Sequence, residues 1–245
     1  MGAVTVITSG KGGVGKSTVS VGVARALSQR GRRVLMVDCD AGLRSLDRLT
    51  GIEEKLVYDM SDVVCGRCAP IEAIYPCDNT DRLFLMPAPA SGEDMVRSEV
   101  MLRLVDVLRR HFDHVIMDCP AGVGEGFRAT CLPADRALIV CNPEPVSVRS
   151  AANVGRLLQE MNITERRLVI NRFSGKVFDK IKSLKDLDAV IDETGVRLLG
   201  VVPEDTDMTA SYLSGEEAPK GCKGILAASR IAGRLEGERI PVLLK

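Results

Sequence analysis

Gly10, Gly15, Lys16 and Ser17 stand at the G-x-x-x-x-G-K-[ST] spacing within the run Ser9–Ser17. The chemistry open to such a run is anion binding. Glycines let successive backbone N–H groups converge on one negative centre without a Cβ in the way, and a helix opening near Lys16 adds its positive end. On this reading Gly10, Gly12, Gly13, Val14, Gly15 and Thr18 form a phosphate cradle. Lys16 holds the β- and γ-phosphates, and the Ser17 hydroxyl ligates Mg²⁺. Lys11 is a second cation in the same loop, where one bound nucleotide already has Lys16.

Three aspartates complete the candidate chemistry. Asp38 and Asp40 follow the apolar run Val34–Val37, and Asp118 follows His114–Met117. A carboxylate at the C-terminal end of a buried parallel strand faces the crevice where α/β sheets bind ligands. Asp118 is placed as a carboxylate that reaches Mg²⁺, usually through water. The bland alternative for Asp38 and Asp40 is strand capping, which would leave charge at a costly edge without a cation to use it.

These side chains need strands that end together. Ala3–Thr8 before the loop is apolar and β-branched, and Val19, Val23 and Leu27 after it recur at helical spacing, so the loop joins a strand to a helix. Further strands are predicted at 34–37, 83–86, 114–118, 136–141, 167–170 and 198–202. Helices are predicted at 58–65, 70–75, 98–112, 147–161 and 184–193. The 98–112 helix carries Val100, Met101, Leu104, Val105, Leu108 and Phe112 on one stripe and covers the sheet. His111 and His114 read as a helix end and a strand start rather than catalytic groups.

At 245 residues, with no linker or repeat, residues 1–245 are expected to form one domain. The 33 basic and 33 acidic residues cancel, so no global field argues for nucleic acid or an anionic membrane. Basic residues cluster between Thr164 and Lys185, a patch that suits a partner or solvent face better than a DNA groove. The eight cysteines come without a signal peptide and read as reduced thiols; Cys65-x-x-Cys68 lacks the second pair a metal site usually needs. Cys39, Cys119 and Cys141 read as small core hydrophobes.

The Lys11-Gly12-Gly13-Val14-Gly15-Lys16-Ser17 loop resembles that of the deviant Walker A ATPases of the MinD/ParA class. The likeness extends from Ala3 to about Pro241. It takes in Asp40-Ala41-Gly42-Leu43-Arg44-Ser45-Leu46-Asp47, with Ser45 where the family usually has Asn, and Asp118-Cys119-Pro120-Ala121-Gly122, with Cys119 for a small hydroxyl residue. It also takes in Val202-Pro203-Glu204-Asp205. The resemblance implies a three-layer P-loop NTPase fold: α/β, a mostly parallel sheet of about seven or eight strands, helices on both faces. It implies ATP and Mg²⁺ as ligands, with ATP hydrolysed. Catalytic roles fall to Lys16, to Lys11 reaching across a nucleotide-sandwich homodimer, and to Asp40 positioning the attacking water. Asp38 would support the Mg²⁺ shell beside Ser17 and Asp118. Asn171 and Arg172 at the N-R step, with the backbone of Pro203 and Glu204, would hold adenine.

Spatial regulation of cell division follows by the same resemblance, with protein partners of the MinC and MinE type. Relatives that place flagella or partition DNA, iron-sulfur cluster assembly ATPases, and a scaffold that barely hydrolyses ATP stand as alternatives. Pro241 and the short Arg239–Lys245 end do not suit the basic amphipathic membrane helix common in the family. The protein is therefore expected to be cytoplasmic and to reach the inner face of the membrane through partners, with nucleic acid not expected.

Overall fold

The structure, a computed structural model, describes residues 1–41, 43–77, 81–90, 97–181, 186–214, 219 and 221–243. Eight strands form one sheet: β1 (Ala3–Thr8), β2 (Val34–Asp38), β3 (Tyr75–Pro76), β4 (Leu83–Met86), β5 (His114–Asp118), β6 (Arg136–Cys141), β7 (Glu165–Phe173) and β8 (Leu198–Pro203). Their order is β3-β4-β2-β5-β1-β6-β7-β8, and every pairing is parallel except β3 with β4. The fold class expected from the sequence is the one found.

Alternation along the strands divides the core between two layers. Leu35, Val37, Val115 and Met117 join one buried cluster, and Val34, Met36 and Ile116 join the other. The first layer is closed by α4 (Ser98–Leu108), α5 (Glu125–Cys131), α6 (Pro145–Glu160) and α8 (Leu187–Thr194). The second is closed by α1 (Lys16–Gln29), α2 (Ser45–Thr50), α9 (Thr206–Ser214) and α10 (Lys223–Leu235). Two short helices, α3 (Met60–Val64) and α7 (Gly175–Phe178), complete the set among the described residues.

The 58–65 helix is confined to α3. Asp59 caps it, accepting from Ser61 N, while Asp62 returns the bond to Asp59 N. Residues 70–75 do not form an α-helix: Pro70–Ala73 is a 3-10 turn, and Tyr75–Pro76 then pairs at the sheet edge as β3. Proline suits that position because an edge strand can spare a donor. The 98–112 helix stops at Leu108, since His111 and Phe112 turn back to lead into β5. Of the predicted 184–193 helix, residues 184–185 lie outside the described residues, as do Gly42 and the 182–185 end of the basic patch; α8 begins at Leu187 behind the Asp186 cap. The three core cysteines predicted from their strand ends are buried, and all eight cysteines are free thiols.

Candidate functional site

Parallel pairing sets Asp38 of β2 directly beside Asp118 of β5, with Ile7 of β1 on the other flank. Adjacent strands lie about 4.8 Å apart, so register alone brings the two carboxylates to one point at the C-terminal sheet edge. The loop from β1 to α1 passes over that point. Ser17 Oγ donates to Asp118 Oδ2 at 2.6 Å, and Ser20 Oγ, one turn further along α1, donates to Asp118 Oδ1 at 2.8 Å. Ser45 Oγ donates to Ser17 Oγ at 2.8 Å, so the serine that replaces the family's usual asparagine ties the start of α2 to the phosphate loop.

Asp38 has a second occupation. Its Oδ1 accepts from Asp40 N at 2.9 Å and its Oδ2 from Leu46 N at 3.2 Å, which folds the 40–46 segment around the strand end. Asp40 itself is half-buried at this edge. Burial, then the charge of Asp118, pushes the Asp38 carboxyl above its ordinary value. Burial likewise raises Asp118, against the hydroxyls of Ser17 and Ser20 and the charge of Lys16. Two buried carboxylates side by side are a strained arrangement that a divalent cation relieves.

Gly15 occupies the left-handed region, with φ 92°, immediately before α1. A Cβ there would overlap the Asn171 amide nitrogen, which donates to Val14 O at 2.8 Å. The end of β7 thereby braces the loop from 157 residues away. Lys16 is buried at the first position of α1; Gly10 lies against Ser150 of α6, and Gly12 faces Ala121 after β5. Gly13 completes the turn with φ 77°. Lys11 stands apart: half-exposed, it pairs with the exposed Glu144 at 3.7 Å.

Beside the loop is a cavity of about 290 Å³, lined by Thr18, Asn171, Arg172, Pro203 and Glu204 and also by Leu49, Asp205, Met208, Thr209 and Tyr212. The structure thus brings the four predicted base-holding residues together with Thr18. The last five lining residues were missed, as was Ser20. Four of the missed residues had a signal: Asp205 caps a helix, and Met208, Thr209 and Tyr212 follow at one-face spacing.

Together, fold and site define a phosphate-loop nucleotide-binding protein of the α/β three-layer class. The chain belongs to the CobQ/CobB/MinD/ParA nucleotide binding domain family, which it matches over residues 5–218. MinD/ParA members of that family are ATPases. Among its relatives is the septum site-determining protein MinD of Bacillus subtilis (strain 168), 40% identical over 99% of this chain and 92% of that protein. The fold matches the MinC:MinD cell division protein complex of Aquifex aeolicus with a TM-score of 0.90, at 33% identity over 98% of each chain. It also matches septum site-determining protein MinD complexed with Mg-ADP from Pyrococcus horikoshii OT3, with a TM-score of 0.85, at 27% identity over 96% of each chain. Among the described residues, no helix is long and apolar enough to cross a membrane.

Proposed function

We propose that this chain, one domain over residues 1–245, is an ATP-switched ATPase acting in division-site placement, the role carried in the names of its MinD relatives. The observation that carries the reading is the convergence of Ser17, Asp118 and Asp38 at the mouth of the glycine loop. The donor set fits a hard divalent cation: a hydroxyl and buried carboxylates, oxygen donors all, with few protein ligands, as Mg²⁺ prefers. Ser17 and Asp118 would hold the ion, with Asp38 in support; when bound with the nucleotide it supplies charge neutralisation at the phosphates.

The remaining work belongs to the chain's own groups. Lys16, buried at the positive end of α1, neutralises the β- and γ-phosphates while loop N–H groups from Gly10 to Thr18 orient them. Asp40, held at the site through Asp38, orients the attacking water. Asn171, whose amide nitrogen is committed to Val14 O, presents its carbonyl oxygen to the adenine amino group. Guanine would set an oxygen against that oxygen, and unpaired polar groups are costly, so ATP is favoured over GTP. Arg172, Pro203 and Glu204 complete the base cavity.

Lys11 serves the nucleotide of a second copy. Its pairing with Glu144 is exposed on both sides, the kind worth about 0–1 kcal/mol, so it releases readily to a phosphate. Exposed Leu43, Val123 and Val146 surround the same edge and suit a dimer face. A partner of the MinC type, as in the Aquifex complex, would read the dimer, and a MinE-type partner would reset it. The protein works in the cytoplasm and at the inner membrane face through such partners.

The test is Mg²⁺-dependent ATP turnover and binding by the purified chain. Lys16→Ala should abolish binding by calorimetry; unchanged ATP affinity would remove the loop from the mechanism.

A further inference from the structure

One wall of the base cavity comes from α9, through Met208, Thr209 and Tyr212, and Met208 rests against Gly224, which does not line the cavity. Asp205 accepts from Asp207 N and Met208 N through Oδ1, and from the Cys222 thiol at 2.9 Å and Gly224 N at 3.1 Å through Oδ2. One carboxylate therefore fastens the start of α9 to the start of α10. Met208, one turn into α9, is buried and lies directly over Gly224. A Cβ at 224 would overlap the Met208 sulfur and stand 3.2 Å from its Cε.

Gly224 has no left-handed backbone angle to explain it, and alanine is the better helix former at such a position. What the missing Cβ provides is room for the thioether. Met208 borders two hollows. One, between α1, β8 and α10, measures about 10 Å³, too small even for a comfortable water. The other is the base cavity of about 290 Å³. Of these two hollows, only the base cavity has room for a methionine side chain pushed off position 224.

We propose that Gly224 is a positioning residue for nucleotide-base binding: by seating the Met208 side chain behind the wall, it sets the depth of the cavity that takes the purine of a nucleoside triphosphate. The inference rests on the reading that this cavity holds the base. Gly224→Ala drives the Met208 thioether into the space of the ring, whereas the atoms nearest the added Cβ all belong to Met208 and none to the phosphate loop. Phosphate affinity and base affinity then separate.

The experiment compares ATP with inorganic tripolyphosphate, which has the phosphates and no base, by calorimetry on the wild-type chain, Gly224→Ala and Gly224→Ala/Met208→Ala. A misplaced methyl-sized group in a fitted pocket is worth at least about tenfold, so ATP affinity should fall by that factor in Gly224→Ala while tripolyphosphate affinity holds. Shortening Met208 in the same chain should restore most of the loss. If the wild-type chain binds ATP no more tightly than tripolyphosphate, the cavity is not the base site and the functional reading of it fails. If the wild type prefers ATP and Gly224→Ala binds as the wild type does, loses both ligands equally, or gains nothing from Met208→Ala, the role of Gly224 is overturned. A Gly224→Ala chain that unfolds while the double variant folds would place the overlap in the core instead, and would overturn it as well.

Discussion

Asn171 braces the phosphate loop and lines the neighbouring cavity. Its amide nitrogen closes on Val14 O under Gly15, and the same residue borders the base cavity. Removing it leaves a buried carbonyl without its donor, a loss of about 1–3 kcal/mol, and removes the proposed acceptor for the adenine amino group. Asn171→Ala should therefore lower both the urea midpoint and ATP affinity; a variant with unaltered ATP binding would take Asn171 out of the site. His114 makes a separate case at the other end of the sheet. Burial first, then the charge of Arg136, pushes its pKa below the ordinary 6.5, although Glu236 lies 3.9 Å from Nε2 and pulls the other way. Nδ1 has no hydrogen-bond partner among the described residues. With the folded value below the unfolded one, protonation favours the unfolded chain, so this contribution to stability is present above about pH 6.5 and is lost as the pH falls through it. His114→Gln should flatten the decline of the unfolding midpoint between about pH 7.5 and 5.5. An equal slope in both proteins would show that other groups govern it.

Among the elements, α9 depends most visibly on a single cap. Burial alone would raise the Asp205 carboxyl, but the Cys222 thiol and the amides of Met208, Gly224 and Asp207 hold it below its ordinary value. It is thus ionised and acts on two helices at once. Asp205→Ala should cost about 1–2 kcal/mol, the upper part of the range for a lost cap, because the start of α10 loses its tie too. Asp205→Asn, which keeps an acceptor, should recover part of it. Equilibrium unfolding of the two variants provides the measurement, and an Asp205→Ala chain as stable as the parent would mean that α9 holds its place by packing alone. At the sheet edge, β2 and β5 set Asp38 opposite Asp118 by register, and no loop geometry is needed to bring the carboxylates together.

At the scale of the whole molecule, the proposed roles of Lys11 and Asp40 separate assembly from hydrolysis. In the proposed mechanism Lys16 and the loop amides suffice to bind nucleotide within one chain, whereas Lys11 pairs with the exposed Glu144. Lys11→Ala should bind ATP as a monomer and fail to dimerise or turn over. Asp40→Ala should bind ATP and accumulate as a dimer, because the attacking water is no longer oriented. Sedimentation with ATP and Mg²⁺ distinguishes the two. A Lys11→Ala chain that dimerises and hydrolyses like the parent would make this lysine an ordinary loop residue.

The sequence by itself determined what is local. A glycine loop between an apolar strand and a helix, and aspartates at the ends of buried strands, are contiguous signals whose chemistry does not depend on distant neighbours. They sufficed for the α/β class and for placing Lys16, Ser17 and Asp118 at the same end of the sheet. Helix ends and the edge strand β3 were less legible, because Pro70–Pro76 offers helical spacing and only pairing with β4 converts its end into a strand. Tertiary structure alone decided the contacts between remote segments: Ser45 on Ser17, Asn171 on Val14, and α9 as a wall of the base cavity. It alone revealed that a Cβ at Gly224 would meet the Met208 side chain, since a glycine in a helix reads from sequence as a weak helix former until the side chain resting against it is known. Spacing along a chain specifies which face a residue occupies; only packing specifies what that face meets.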